Sequence, residues 1–334
     1  MPFVSMRIAL DAMGGDNAPG VPVRGGVAAL RDLDVDFELT LVGEPLAIQE
    51  ALEGIDVPAD RLRLVPASET IGMDESPVEA VRRKRDSSIV RGVQLQGSGE
   101  VDAFVSAGST GAMLAASMLI LGTLPGMDRP AIGALLPTAG ANPTLLIDVG
   151  ANAECSPAHL EQFAHLGHVY MRDLQNRPAP RIGLLNIGGE AGKGDQVSRE
   201  AYRLLSGGGL DFVGNIEGRD ILNGDCDVIV CGGFVGNVVL KFYESVAAQV
   251  AGILKRAAVE EPASEELDRL CSVLDYAEYG GAPLLGVDGV TIICHGSSSV
   301  RAIRNAVRVA VKGVESDMVE HLRSELAGLA AARN

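Results

Sequence analysis

Residues 7 to 19, RIALDAMGGDNAP, run an apolar strand directly into a carboxylate and a pair of glycines. Arg7 to Leu10 suit the inside of a sheet, but the charge of Asp11 cannot follow them unpaired, so Asp11 has to stand where the strand ends. Gly14 and Gly15 free the backbone to take positive φ and approach a ligand closely, while Pro19 and Pro22 suit the start of a helix over Val23 to Leu33. Strand, glycine loop and helix N-terminus together make an anion pocket, because the first N–H groups of a helix have no partner inside it. The plainer alternative is a glycine turn with Asp11 as its cap.

The rest of the chain repeats this grammar. Short apolar runs alternate with amphipathic stretches, the pattern of a largely parallel sheet covered by helices on both faces. Strands are expected at Ile8–Asp11, Phe37–Val42, Leu62–Pro66, Asp102–Ser106, Ala131–Leu136, Thr144–Val149, Arg181–Asn186, Phe212–Gly214, Val228–Cys231 and Val290–Cys294. A helix from Val238 to Ala258 places Val239, Phe242, Val246, Val250, Ile253 and Leu254 on one face, with core packing as the default explanation and a dimer face as the sharper one. EEPASEE at 260 to 266 reads as a solvated connection, a further helix follows, and YGGAP at Tyr279 to Pro283 reads as a turn. No repeat period or Ser/Pro/Gly-rich linker divides the chain, so residues 1–334 are expected to form a single α/β domain with a helical excursion at about 238–280.

The opening device recurs three times. FVSAGSTGA at Phe104 to Ala112, VCGGFVGN at Val230 to Asn237 and CHGSSSV at Cys294 to Val300 each put glycine and small polar residues between a strand and a helix. Such junctions gather at the carboxyl ends of the strands in an open α/β sheet, where ligands bind. Four loops of backbone N–H and hydroxyl donors on one rim point to a phosphate or carboxylate ligand, although each alone is equally a tight strand-to-helix connection.

Composition limits the alternatives. The chain of 334 residues carries a net charge of −16, which argues against nucleic acid as a partner, since phosphate backbones demand clustered cations. Cys155, Cys226, Cys231, Cys271 and Cys294 show neither CxxC spacing nor a paired framework; no disulfide and no metal site are expected, and a reducing cytoplasm suits them. The N-terminus lacks the pattern of a secretory signal, and the most apolar stretch, Ala112 to Leu124, is too short for a bilayer, which needs about 20 residues.

Three familiar motifs nearly fit. Gly188 to Gly194, GGEAGKG, is one residue too tight for a Walker loop and has Gly194 where the magnesium-binding hydroxyl belongs. No GxGxxG with a following acid marks a dinucleotide site, so no cofactor is expected. Ala107 to Gly111 mimics a nucleophile elbow, and the order Ser109, Asp148, His295 matches an α/β-hydrolase triad.

As an ordered set, LDAMGGDNAP, AVRRKRDSS, SAGSTGAML, DRPAIGALLP, DVGANAE, LLNIGGE, GGFVGNVVLK, YGGAPLLG and HGSSS closely resemble the bacterial acyl-carrier-protein:phosphate acyltransferases of phospholipid synthesis, from about Arg7 to about Lys312. The resemblance implies a three-layer α/β/α sandwich like that of isopropylmalate dehydrogenase and phosphotransacetylase, a homodimer, and conversion of a long-chain acyl thioester and inorganic phosphate into acyl phosphate and free carrier protein. It implies Lys193 and Asn237 as catalytic groups, Lys193 pairing with phosphate or polarising the carbonyl and Asn237 donating to the oxyanion. His295 joins them as the acid that protonates the departing sulfur, with a structural histidine capping the last strand as the alternative. Substrate binding falls to Asp11, Gly14, Gly15 and Asp16, to Ser106, Gly108, Ser109, Thr110 and Gly111, and to Gly296, Ser297 and Ser298.

Arg82, Arg83, Lys84 and Arg85 form the densest basic run of an acidic chain, and Arg82 is the member expected to contact substrate. Acyl carrier protein is itself acidic, so such a local patch is where it would dock; a solvated helix face is the alternative. The enzyme is expected in the cytoplasm, handing its product to a downstream membrane acyltransferase. The family's D-G-F-T-G-N reads Gly232 to Asn237, GGFVGN, here, without the carboxylate and the hydroxyl, and Ser109 stands where Asn is common. The stretch from Ala258 to Ala277 is shorter and more acidic than the apolar tip through which relatives touch membranes, which weakens the expectation of peripheral membrane association without removing it. Two other readings stay open: a serine-dependent acyl thioester hydrolase using Ser109, and a non-catalytic homologue that binds acyl carrier protein.

Overall fold

The computed structural model describes residues 6–58, 60–140, 142–257 and 279–332. The chain divides into two compact units, one from residues up to Pro130 together with those from Tyr279 onward, the other from residues 131–278.

The first unit opens with β1 (Met6–Asp11), α1 (Gly20–Asp32), β2 (Phe37–Gly43), α2 (Pro45–Leu52), β3 (Leu62–Pro66), α3 (Pro77–Arg83), α4 (Ser88–Gly97), β4 (Ala103–Ser106) and α5 (Thr110–Ile120). The second unit holds β5 (Ala131–Leu136), β6 (Thr144–Ile147), α6 (Pro157–Leu174), β7 (Arg181–Asn186), α7 (Gln196–Gly207), β8 (Asp211–Glu217), β9 (Val228–Val230) and α8 (Gly233–Ala257). The chain then returns to the first unit with β10 (Ala282–Leu285), β11 (Val290–Ile293), α9 (Val300–Glu315) and α10 (Met318–Ala332).

In the first unit the strands run β3-β2-β1-β4-β11-β10, parallel except for β10, which pairs antiparallel with β11. Ile8, Ala9 and Leu10 are wholly buried, and the pairing of Ala9 with Phe104 puts Phe104 on the face opposite to Leu10. A Cβ on Gly26 of α1 would overlap Leu10 and one on Gly92 of α4 would overlap Phe104, so the two helices cover opposite faces. Arg7 is half-buried, and its guanidinium meets Asp102 at 2.7 Å, tying the entries of β1 and β4 together.

In the second unit β6, β9, β7 and β8 are parallel in that order, with β5 antiparallel beside β6. Gly167 of α6 lies against Val228 and Leu145, with no room for a side chain between helix and sheet.

Each expected strand is present. β8 is longer than Phe212–Gly214, and a short strand, β10, begins inside the stretch read as a turn, of which Gly280 and Gly281 keep the positive φ. The helix expected at Val238–Ala258 starts five residues earlier, and core packing is not what it does. No side chain described from Asn237 to Arg256 is buried, and Val238, Phe242, Val246, Val250 and Ile253 stand exposed at spacings of three and four along one side, Phe242 at 70%. The apolar stripe is real, but nothing among the described residues buries it. The acidic connection and the helix after it lie outside the described residues.

Candidate active site

Because β1, β4 and β11 are parallel neighbours, the loops that follow them share one rim of the first unit. Asp11, 0% exposed at the end of β1, accepts from Ser106 Oγ at 2.6 Å and from the Met13 N–H at 2.9 Å, while Ser106 Oγ in turn accepts from the Gly108 N–H. Burial pushes the Asp11 carboxyl above the ordinary carboxylate range, and hydrogen bonds from Ser106, Ser88 and the Met13 and Gly14 N–H groups work in the opposite direction. Asp11 therefore fixes the loop. A Cβ on Gly14 would lie 2.5 Å from Asp11 Oδ2 and 2.6 Å from the Gly108 nitrogen, so only glycine lets the first two loops meet.

The third loop joins through backbone. The Asp16 N–H donates to Gly296 O at 2.8 Å, and Gly15, at φ +101, turns the chain into that contact. A cavity of about 160 Å³ opens here, lined by Asp11, Gly14, Gly15, Asp16 and Gly108 together with Thr70 to Met73, Ser88 and Ile89. Ser109 and Ser299 cap α5 and α9 through their side chains, accepting from the Ala112 and Ala302 N–H groups, so Thr110 and Gly111 form the first turn of α5. His295 is exposed; its Nδ1 accepts from the Ser297 N–H at 3.2 Å and lies 2.8 Å from Ser297 Oγ, while the Ser298 N–H donates to His295 O. The wall from Thr70 to Met73 went unread in the sequence, where Gly72 in ETIGMDE was its sole hint of a loop.

Arg82 lies elsewhere. It lines a separate cavity of about 310 Å³ with Arg85, Leu119 and Ile120, whereas Arg83 and Lys84 are drawn to Glu75, at 3.0 and 2.6 Å. Lys84 in particular holds the Glu75 carboxyl below its usual range.

Lys193 and Asn237 belong to the second unit, where β6, β9 and β7 end side by side. Asp148, after β6, is 0% exposed and accepts from Ile132 N, Gly150 N, Ala151 N, Asn152 N and Asn152 Nδ2 at 2.8–3.1 Å. Around this carboxylate the loop after β9 closes with no slack: a Cβ on Gly233 would overlap Asn152 O and one on Gly236 would overlap Asp148 O. Asn237, in the first turns of α8, donates from Nδ2 to Val149 O at 3.1 Å. Lys193, half exposed after β7, has Nζ 3.9 Å from Glu190 Oε1, and its carbonyl accepts from Asn186 Nδ2. Gly194 takes φ +88 beside it. The central place of Asp148 was missed in the sequence, which shows a strand-terminal Asp but not the five donors that fold back onto it.

A family model described as fatty acid synthesis protein matches residues 6–321. The chain belongs to that family. The phosphate acyltransferase of Heliobacterium modesticaldum is 49% identical over 335 residues, covering 97% of this chain and 98% of its own. That of Desulfitobacterium hafniense strain DCB-2 is 48% identical, covering 98% and 100%. The chain is an acyltransferase with a three-layer α/β/α fold. The same fold is found in the EutD phosphotransacetylase of Staphylococcus aureus, with a TM-score of 0.63 at 15% identity over 93% of this chain and 94% of the other. A phosphotransacetylase of Streptococcus pyogenes matches equally, with a TM-score of 0.63 at 17% identity over 93% and 94%.

Proposed function

We propose that this acyltransferase moves a long-chain fatty acyl group from acyl carrier protein to inorganic phosphate, giving acyl phosphate for phospholipid synthesis. The observation that carries the reading is the rim of the first unit, where Ser106 ties the loop after β4 to Asp11, the Asp16 N–H ties the loop after β11 to the first, and residues of the β1 and β4 loops line a small cavity. Gly14, Gly15 and Gly108 let backbone come close to a ligand in that cavity, which suits a small anion such as phosphate.

Phosphate brings its own nucleophile. One of its oxygens attacks the thioester carbonyl, the tetrahedral oxyanion collapses, the carbon–sulfur bond breaks, and the thiolate of the carrier arm takes up a proton. Positioning supplies much of the acceleration and donors to the oxyanion supply more. In this reading Lys193 and Asn237 stabilise the developing charge, and His295, held at Nδ1 by the Ser297 N–H, passes to the departing thiolate a proton drawn from solvent. Purified protein given palmitoyl carrier protein and phosphate should yield acyl phosphate, trapped with hydroxylamine as the hydroxamate. No hydroxamate at any phosphate concentration would sink the proposal.

The serine hydrolase reading fares worse. Ser109 Oγ accepts a helix N–H, and both oxygens of Asp148 are taken up by backbone and Asn152 donors rather than by an imidazole. It predicts inactivation by a fluorophosphonate, whereas the phosphate reaction continues in its presence. A non-catalytic carrier-binding homologue would bind acyl carrier protein and release nothing.

Carrier docking in this proposal uses Arg82 and Arg85, the members of the basic run not engaged with Glu75, beside exposed Leu119. The exposed stripe of α8 is assigned to a second copy of the chain. Phe242→Asp should then turn a dimer into a monomer in analytical ultracentrifugation, because a charge in the middle of an apolar seam has no partner to pair with. A variant that sediments as the parent does would remove α8 from the interface. The reaction is placed in the cytoplasm, with product passed to a membrane acyltransferase; no helix among the described residues is long and apolar enough to cross a membrane.

A further inference from the structure

The second unit contains a larger cavity, of about 480 Å³, that phosphate chemistry leaves unused. Its walls include Leu160, Leu184, Val197 and Val235, and it is bordered by Gly232. Asp195 and Glu154, both exposed, also line it, and carboxylates there disfavour an anionic occupant. An apolar, neutral ligand is what such walls accept.

Position narrows the choice. Asp195 and Val197 follow Lys193 by two and four residues, and Gly232 and Val235 precede Asn237 by five and two. The two loops that carry the proposed catalytic groups thus also supply the cavity walls.

Gly232 sharpens the inference. Its neighbours Gly233 and Gly236 are forced by packing, since a Cβ on either would overlap backbone. At Gly232 a Cβ would find Cys155 Sγ at 3.8 Å as its nearest neighbour, an ordinary contact, and its φ is not in the left-handed region. Nothing in the fold demands glycine at 232, so its effect is on the space beside it. Gly232 and Val235 border the same cavity, and neither brings a polar side chain to it.

We propose that this cavity seats the hydrocarbon of the acyl thioester, with Gly232 and Val235 setting the chain length it accepts. The inference rests on the acyl transfer reading above. Each methylene seated should strengthen binding about fourfold until the walls are met.

The test uses pantetheine thioesters of C4, C8, C12 and C16 acids with phosphate, and the parent enzyme beside Val235→Trp and Gly232→Leu, each checked for an unchanged circular dichroism spectrum. In the parent, kcat/KM should rise at least a hundredfold from C4 to C16, and in each variant the C16 to C4 ratio should fall tenfold or more. A ratio within threefold of unity in the parent, or unmoved within twofold in both variants, overturns the proposal. A second arm measures the Kd of unreactive palmitoyl and butyryl pantetheine amides, with no turnover required. Tight palmitoyl binding that Val235→Trp weakens tenfold, in a protein making no acyl phosphate, would keep the seat and discard the reaction. Equal affinity for the two amides would discard the seat, whatever the reaction.

Discussion

Replacing Asp148 by Ala should cost about 3–5 kcal/mol of stability, because several buried N–H groups lose their acceptor at once and each unsatisfied buried donor costs about 1–3 kcal/mol. The carboxylate is completely buried, and its five donors come from Ile132 on the neighbouring strand and from the turn at Gly150, Ala151 and Asn152. Against a total of about 5–15 kcal/mol for a protein of ordinary stability, this is a large fraction. Asp148→Asn should recover part of the loss, since one oxygen still accepts while the new amide group faces donors it cannot satisfy. Urea unfolding followed by circular dichroism reads both variants, and an Ala variant within 1 kcal/mol of the parent would refute the role. Activity should fall with stability, because the loop that Asp148 shapes presents Val149 O to the side chain of Asn237.

Lys193→Ala should show the opposite division: turnover reduced on the order of 10²-fold or more, with the unfolding midpoint nearly unmoved. The side chain is half exposed, and its ion pair with Glu190, at 3.9 Å, is of the surface kind that contributes about 0–1 kcal/mol. A lysine with so little structural work to do can be removed without disturbing the fold. The loss should appear in kcat if the ammonium meets charge that develops only in the transition state, and in KM for phosphate if it holds the ground state. Lys193→Arg should retain part of the rate. A Lys193→Ala enzyme within threefold of the parent would demote the residue to a bystander.

The strands and the rim loops were legible in the sequence because most of the apolar runs end on a residue that cannot stay buried unpaired, or on glycine. Asp11 is the clearest case: its place at the strand end and its part in ordering the loop both follow from charge and position. What it gathers from Ser106 and Ser88 does not, since those partners lie far along the chain. Asp148 has the same sequence signature as Asp11 but a denser hydrogen-bond shell, and no local pattern distinguishes the two. Strand β10 was hidden by its neighbours, because Gly280 and Gly281 read as turn and only four residues follow in the strand. The stripe on α8 was visible in full, but a period of three and four is the same whether a helix faces its own core or something else. Hydroxyls were the hardest to read: Ser109 resembles a ligand or a nucleophile in the sequence and serves as a helix cap in the structure.

The first unit is discontinuous, with β11 lying next to β4 and α9 packed on α1, yet the residues of β11 and α9 follow only after the second unit has been written. On a ribosome adding about 5–20 residues per second, the intervening stretch of about 150 residues takes roughly 7–30 s to make. For that interval β4 lacks its β11 neighbour and α1 lacks the helix against which Gly25 packs, and the Gly296 carbonyl that receives Asp16 does not yet exist. The second unit, continuous in sequence, can complete its sheet during the same interval. The order of synthesis therefore makes the loop around Asp11 one of the last parts of the molecule to acquire its final shape, although it is among the first to be translated.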